Sequence, residues 1–391
     1  MGNSIVVVRS GDRIISSIFE NGEMLTVRSD RNEGKARVGN IYLGKIRNIV
    51  KNINAAFVEI AGKEICYLSL NENRNPVFGD EKKHPMRVGD ELVVQIAKEP
   101  TKTKAALATV DFSFTGRYCV LTRGKNSIGV SSKIEDKNER ERIKALLEPY
   151  ADEEFGFIVR TNAASAPEEE ITKEAEKLVG LYRETALKGI HRTCYSVLYT
   201  APPQYIGEIR DGYSFEIERI ITDDREIFED IQRYLENCPE EERAKLEFYE
   251  DASLSLSALY GIESKLQKAL HERVWLDSGA YLVIQPTEAL VSIDVNTGKA
   301  ITGKENTEET FFKVNCEAAE EIAAQLRLRN LSGIIIVDFI DMKKEEHRKQ
   351  LLAKLTEELA KDHITTKLID MTPLGLVEIT RQRIRKPIYE Q

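Results

Sequence analysis

The chain has no Cys-x-x-Cys, and its five cysteines (Cys66, Cys119, Cys194, Cys238 and Cys316) stand singly. That spacing argues against a disulfide framework and against a clustered zinc site, leaving reduced core residues as the expectation. The five histidines, His84, His191, His271, His347 and His363, are equally scattered, which disfavours chemistry built on paired imidazoles. No apolar run approaches the ~20 residues of a membrane span. The start, Ile5-Val-Val-Val8, reads as a strand and lacks the sections of a signal peptide, so a cytoplasmic protein is expected. Net positive charge is also missing: the formal balance is -9, which taken alone argues against a polyanion partner. What is present is ample material for cores. With 391 residues, 41% hydrophobic and 31% charged, two to four domains are expected, insertion of one into another included.

The overall charge hides local asymmetry. Lys35, Arg37, Lys45, Arg47 and Lys51 occur between Lys35 and Val58 without an acid, and Arg117, Arg123, Lys125 and Lys133 repeat the pattern between Phe112 and Ile134. Acids gather elsewhere, as in Asp223-Asp224 and Glu240-Glu241-Glu242. A basic face on an acidic chain fits nucleic acid, and ordinary solvated faces fit equally.

Along the chain, Arg13 to Phe19 and Met24 to Arg28 flank Asn21-Gly22, a two-residue hairpin signal. Five short strands follow, Ile41 to Ile49, Ala55 to Ile60, Ile65 to Leu70, Glu91 to Ala97 and Ala105 to Val110, and predict a small barrel. A β-rich stretch (Tyr118 to Val130), a charged helix (Glu135 to Tyr150), a strand (Phe155 to Arg160) and a long helix (Pro167 to Lys188) form an α+β unit. Residues 204–270 return to a strand (Ser214 to Ile221), helix, strand and helix, completing a sheet begun by the N-terminal hairpin. From Glu272 the pattern is strand, strand, helix, strand, helix, strand, the first helix opened by a capping box of Asn306 and Glu309.

Within that last segment Asp294 closes the apolar run Ala289-Leu-Val-Ser-Ile-Asp294 and Asp338 closes Gly333-Ile-Ile-Ile-Val-Asp338, with one amphipathic helix between them. A strand, helix and strand of this length make a crossover whose strands run parallel, so both carboxylates emerge at strand carboxyl ends, where open α/β sheets bind ligands. Alternation puts Asn296 on the side of Asp294. Two carboxylates and an amide suit Mg²⁺, with Mn²⁺ as the alternative. Loop capping by strand-end acids is the competing reading.

Four segments carry a resemblance: Ser292-Ile-Asp-Val-Asn-Thr-Gly298, Asn315 to Arg329, Gly333-Ile-Ile-Ile-Val-Asp-Phe-Ile-Asp-Met342 and Gly375-Leu-Val-Glu-Ile-Thr-Arg-Gln-Arg383 closely resemble the ribonuclease E/G family. Gly39-Asn-Ile-Tyr-Leu-Gly-Lys-Ile46, Ala55-Ala-Phe-Val58 and Lys104-Ala-Ala-Leu107 look like its S1 RNA-binding module. The resemblance implies an α/β and α+β multidomain chain. Residues 1–35 and 204–270 would be two parts of an RNase H-like subdomain, 36–118 an inserted S1 (OB-type) barrel, 119–203 a 5′-phosphate sensor, and 271–391 a DNase I-like catalytic subdomain. The implied activity is an Mg²⁺-dependent endoribonuclease that cuts single-stranded, A/U-rich RNA to 5′-phosphate and 3′-hydroxyl ends in RNA processing or decay.

By the same resemblance Asp294 and Asp338 match the metal-binding acids and Asn296 the asparagine that helps position the site. Phe57 and Tyr67 match base-stacking aromatics, the second usually phenylalanine in the family, beside Lys98 and Lys104. Arg160 and Thr161 match the pair that binds a terminal monophosphate, although Asn162-Ala163-Ala164 departs from the usual glycine-containing loop; a plain salt bridge is the other reading of Arg160. Asp341 is read as a loop acid before a supporting group, and Arg381 and Arg383 either face phosphate or are surface charge. Family members commonly continue into a Cys-Pro-x-Cys zinc link, which is not found up to Gln391. No zinc is therefore expected, and any homo-oligomer would form without that link. The rival functions are a non-catalytic S1-type RNA-binding regulator and a DNA nuclease.

Overall fold

The computed structural model describes residues 2–31, 38–80, 84–100, 104–164, 166–211, 216–236, 238–300, 307–383 and 386–390. Lys35, Arg37, the Asn306 cap and the start of the strand expected from Ser214 lie outside them. The chain divides into two compact units, residues 33–212 and the two segments 1–32 with 213–391.

The first of these units contains a closed barrel. Strands Ile41–Val50, Ala55–Glu59, Ile65–Ser69, Ala106–Thr109 and Glu91–Lys98 pair in that order, and the last returns to pair antiparallel with the first. The third and fourth of that ring are parallel, giving a five-stranded barrel of the OB/S1 type. Its interior is filled by alternate residues such as Ile46, Val58, Cys66, Leu68, Leu92 and Val94. A second sheet, ordered Ile128–Val130, Phe155–Val159, Cys119–Arg123, Ser113–Thr115, packs with helices Lys137–Leu147 and Glu168–Arg183 around Phe114, Phe157, Ile143 and Ile171.

The other unit begins with Ser4–Ser10, Arg13–Glu20 and Glu23–Arg31, an antiparallel meander whose second turn places Asn21 and Gly22 at φ 51° and 90°. Two positive φ values are what a tight primed turn requires. Arg219–Thr222 and Leu246–Phe248 extend this sheet in parallel on the free side of Ser4–Ser10, so the C-terminal half does complete the N-terminal hairpin. Helix Arg225–Leu235 follows, with Asp224 accepting from the Ile227 N–H at 3.0 Å and Ile227, Ile231 and Leu235 buried at i, i+4, i+8.

A six-stranded sheet completes the unit in the order Arg273–Trp275, Tyr281–Pro286, Val291–Asn296, Gly333–Asp338, Val377–Arg381, Thr366–Met371. It holds one strand more before the first helix and one more after the second than the apolar pattern predicts. Arg273–Trp275 is only three residues long, and the two last strands form a hairpin, too little alternation for period-two counting to separate. Val291, Ile293, Val295, Ile335 and Val337 pack against Val314, Ala318, Ile322, Leu351 and Leu355 of helices Thr307–Leu328 and Glu345–Ala360. One sheet face is thereby covered by helices, and residues of opposite parity are left on the other face.

Candidate functional site

Val291–Asn296 alternates strictly: Val291, Ile293 and Val295 are buried, whereas Ser292 and Asp294 are exposed and Asn296 is half-buried. Gly333–Asp338 ends the same way, with Val337 buried and Asp338 exposed. The strands are parallel and Asp294 is the register partner of Asp338, about 4.8 Å away at neighbouring-strand spacing. Asn296 donates from Nδ2 to Asp294 Oδ2 at 2.6 Å. Burial pushes the Asp338 carboxyl above the usual carboxylate range, and the charges of Asp294 and Asp341 push it further the same way. The structure thus brings Asp294, Asn296 and Asp338 together. Asp341 contributes negative potential from the loop beyond the strand.

Two features shape this strand end. Gly298 has φ +51°, and a Cβ there would come within 2.3 Å of the Gly279 carbonyl oxygen, so the turn after Asn296 requires glycine. Asn315, fully buried on the crossover helix, donates to the Ile340 carbonyl at 2.8 Å and accepts from its N–H at 3.0 Å. It clamps the segment between Asp338 and Asp341. A buried asparagine in an otherwise Ala- and Glu-rich helix is the sequence signal for such a role.

Among the described residues no group of three or more His, Cys, Asp and Glu side chains converges on a point where a metal could sit. A cation at this strand end would take two carboxylates from the protein, with Asn296 oriented toward one of them. Hard oxygen donors in that number fit Mg²⁺, which keeps waters and substrate oxygens in its shell.

Next to the acids, on the same sheet face, Trp275, Tyr281 and Asn296 are successive register partners across three strands. The rings of Trp275 and Tyr281 lie 5.1 Å apart, and the Arg273 guanidinium sits 4.5 Å from the Tyr281 ring centre. Arg273, Trp275 and Tyr281 belong to none of the motifs that stand out in the sequence; the edge strand Arg273–Trp275 is too short to be read from alternation.

On the barrel, Phe57, Tyr67, Leu107 and Lys98 are successive cross-strand partners, forming one row on its outer surface. Phe57 and Tyr67 are half-buried, meeting edge to face with ring centres 6.1 Å apart, and Lys98 is exposed. Lys104 precedes Ala106–Thr109 and is exposed. The basic stretches are less bare than in the sequence. Lys45 pairs with Glu91 at 3.2 Å and Arg47 with Glu59, both acids supplied by neighbouring strands. Arg123 is buried and donates to the Asn75 and Val110 carbonyls.

Arg160 and Thr161 follow the strand Phe155–Val159 and open a short 3-10 turn, Thr161–Ala163. Arg160 donates to the Gly116 carbonyl at 2.9 Å and pairs with Asp211 at 3.0 Å; Thr161 meets the Ser131 hydroxyl at 3.2 Å. Burial would raise the Asp211 carboxyl, but Arg210 and Arg160 outweigh it and hold that carboxyl below its ordinary value. At the other unit's final strand, Arg381 faces the core rather than phosphate or solvent. It is fully buried, donating to Asp362 at 2.7 Å, Asn330 at 2.8 Å and the Leu331 carbonyl at 3.0 Å. Arg383 is exposed and reaches Ser332 at 3.4 Å.

The family model described as "Ribonuclease E/G family" matches residues 113–384. A protein named Ribonuclease G from Haemophilus influenzae is 38% identical over 385 residues, covering 95% of this chain and 78% of that protein. Ribonuclease G of Escherichia coli is 36% identical over 381 residues, again 95% and 78% of the two chains. Ribonuclease E of a Nostoc species is 34% identical over 365 residues, 91% of this chain and 53% of its own length.

Proposed function

The chain belongs to the ribonuclease E/G family, and from that membership and the open acid pair we propose that it is a metal-dependent endoribonuclease acting on single-stranded RNA. The observation that carries the reading is the register pairing of Asp294 with Asp338 on the uncovered sheet face. Residues 271–391 act as the catalytic subdomain of the DNase I-like kind, 36–118 as the S1 module, 119–203 as the 5′-phosphate sensor, and 1–35 with 204–270 as the RNase H-like part.

Asp294 and Asp338 hold Mg²⁺, or Mn²⁺ in its place. When bound, the cation supplies charge neutralisation at the scissile phosphodiester and a water of lowered pKa. The two carboxylates supply the negative potential that attracts it; the charges of Asp294 and Asp341 add to burial in raising the Asp338 carboxyl. Asn296 locks the Asp294 carboxylate by its 2.6 Å hydrogen bond, so that one oxygen is oriented before substrate arrives. No side chain is asked to deprotonate a 2′-hydroxyl, and the products are a 5′-phosphate and a 3′-hydroxyl. Phe57 and Tyr67 stack unpaired bases on the barrel, with Lys98 and Lys104 toward the backbone. Such a reader favours unstructured RNA; the preference for A/U-rich substrates and the role in cytoplasmic RNA processing or decay follow from the family resemblance.

The test is cleavage of one 5′-labelled unstructured RNA in Mg²⁺ and in EDTA, with product ends analysed, by the wild type, Asp294→Asn and Asp338→Asn. Mg²⁺-dependent products from the wild type and none from either variant are expected. Undiminished cleavage by both variants would sink the assignment. Retention of RNA without products in excess Mg²⁺ would favour the non-catalytic regulator, and equal cutting of a DNA of the same sequence would favour a DNA nuclease.

A further inference from the structure

The six-stranded sheet carries an aromatic and cationic group that the acid pair does not account for. Trp275 closes the edge strand and is 58% exposed, an unusual place for a large apolar ring in a chain with a single tryptophan. Its register partner is Tyr281, and the partner of Tyr281 is Asn296. All three therefore lie in one row on the face that carries Asp294. The row ends at the strand end where Asp294 and Asp338 emerge, so Trp275 stands two strand spacings, roughly 10 Å, from Asn296.

The local packing holds the tryptophan in place. Tyr281 is tilted 56° against it at 5.1 Å, and the Arg273 guanidinium lies 4.5 Å from the Tyr281 ring and 5.7 Å from the Trp275 ring. Arg273 is exposed and makes no ion pair among the described residues. The guanidinium over the tyrosine ring thus keeps its positive charge unpaired by any acid among the described residues, which suits it to meet an anion. An exposed indole, a tyrosine brace and an uncompensated guanidinium form the combination that reads an unpaired nucleobase with its phosphate.

We propose that Trp275, braced by Tyr281, stacks an unpaired nucleobase flanking the scissile phosphate while Arg273 contacts the adjoining phosphate, making this edge of the catalytic sheet a second single-strand contact separate from the barrel. The proposal rests on the reading of Asp294 and Asp338 as the cutting site, and it names what lies beside them. It fits single-stranded RNA better than a second copy of the chain, because the cation complements a polyanion whereas a self-association surface would set Arg273 against itself.

The sole tryptophan makes the test direct. In EDTA, indole emission is followed while a short oligoribonucleotide, or an abasic ribose-phosphate chain of the same length, is added. Saturable quenching by the base-bearing strand and little by the abasic one is expected. In Mg²⁺, Trp275→Leu should raise KM roughly 5- to 100-fold, the range of one lost stacking contact, with kcat nearly unchanged. Trp275→Phe should restore most of the loss, and Arg273→Gln should flatten the salt dependence of KM. Equal quenching by both strands, no quenching, or emission that changes with protein concentration alone would overturn the proposal. Cleavage without quenching removes the platform and spares the nuclease reading. Base-dependent quenching by a protein that never cuts in Mg²⁺ does the reverse.

Discussion

Asp294 and Asp338 stand side by side in register on adjacent parallel strands, and the amide of Asn296 is committed to only one of them, Asp294, at 2.6 Å. Asp338 has no such donor among the described hydrogen bonds, and it is the carboxyl held above the ordinary range by burial and by its acidic neighbours.

Neutralising Asp338 should therefore stabilise the metal-free protein. An unfolded aspartate ionises near ~3.9, whereas folded Asp338 keeps its proton to higher pH, so folding loses stability as pH rises through that interval and does not regain it above. Asp338→Asn should melt above the wild type at neutral pH in EDTA, and the difference should vanish in acid below the unfolded value. Mg²⁺ should raise the melting temperature of the wild type and leave the variant unmoved. Identical melting at neutral pH would contradict the charge crowding.

Asn315 is expected to be a positioning residue. Asn315→Leu leaves the half-buried Ile340 N–H and carbonyl without their partners at 3.0 and 2.8 Å, a loss of roughly 1 to 3 kcal/mol for the two hydrogen bonds. Chemical denaturation measures it. Mg²⁺ should also bind more weakly, because the segment leaving Asp338 loses its clamp. A variant as stable as the wild type would show that the loop holds itself.

The Asp362–Arg381 pair has side chains only 2% and 1% exposed. Burial alone would raise the Asp362 carboxyl, but hydrogen bonding and charge from Arg381 prevail and depress it. Its contribution is present above the unfolded value near ~3.9 and is lost as pH falls through the lower folded value. Arg381→Met should cost about 3–5 kcal/mol at neutral pH, the cost of stranding a buried charge, and progressively less in acid. Because Arg381 is enclosed, the salt dependence of RNA binding should be the same in the variant wherever it remains folded; a shallower slope would return Arg381 to the phosphate backbone.

At the proposed 5′-phosphate sensor, Arg160 already has a carboxylate partner in Asp211 at 3.0 Å. A terminal phosphate must compete with it. Arg160→Gln should abolish the preference for 5′-monophosphate over 5′-triphosphate or 5′-hydroxyl RNA, roughly a 10- to 100-fold effect if one charge-assisted hydrogen bond is lost. Asp211→Asn should strengthen that preference by releasing the guanidinium. Equal cleavage rates for all three ends by the wild type would dispose of the sensor.

Much of the architecture was legible in local pattern. The five barrel strands fall within a residue or two of the alternating runs that predict them, since period-two burial writes itself into composition, and Asn21-Gly22 marks its turn by the positive φ it needs. Asp294 and Asp338 were legible for the same reason: each ends an apolar run, and the helix between them requires a crossover. Cross-strand partnership is another matter, because register is a property of two segments and no single segment encodes it. Only the tertiary structure decided that Asp294 meets Asp338 directly and that Phe57, Tyr67 and Lys98 share one row. It alone aligned Trp275 and Tyr281 with Asn296, turned Arg381 inward onto Asp362, and paired Lys45 and Arg47 with acids of the strands beside them. Hydrophobic periodicity determines which side of an element is buried; which charges and rings then become neighbours depends on how the buried sides pack.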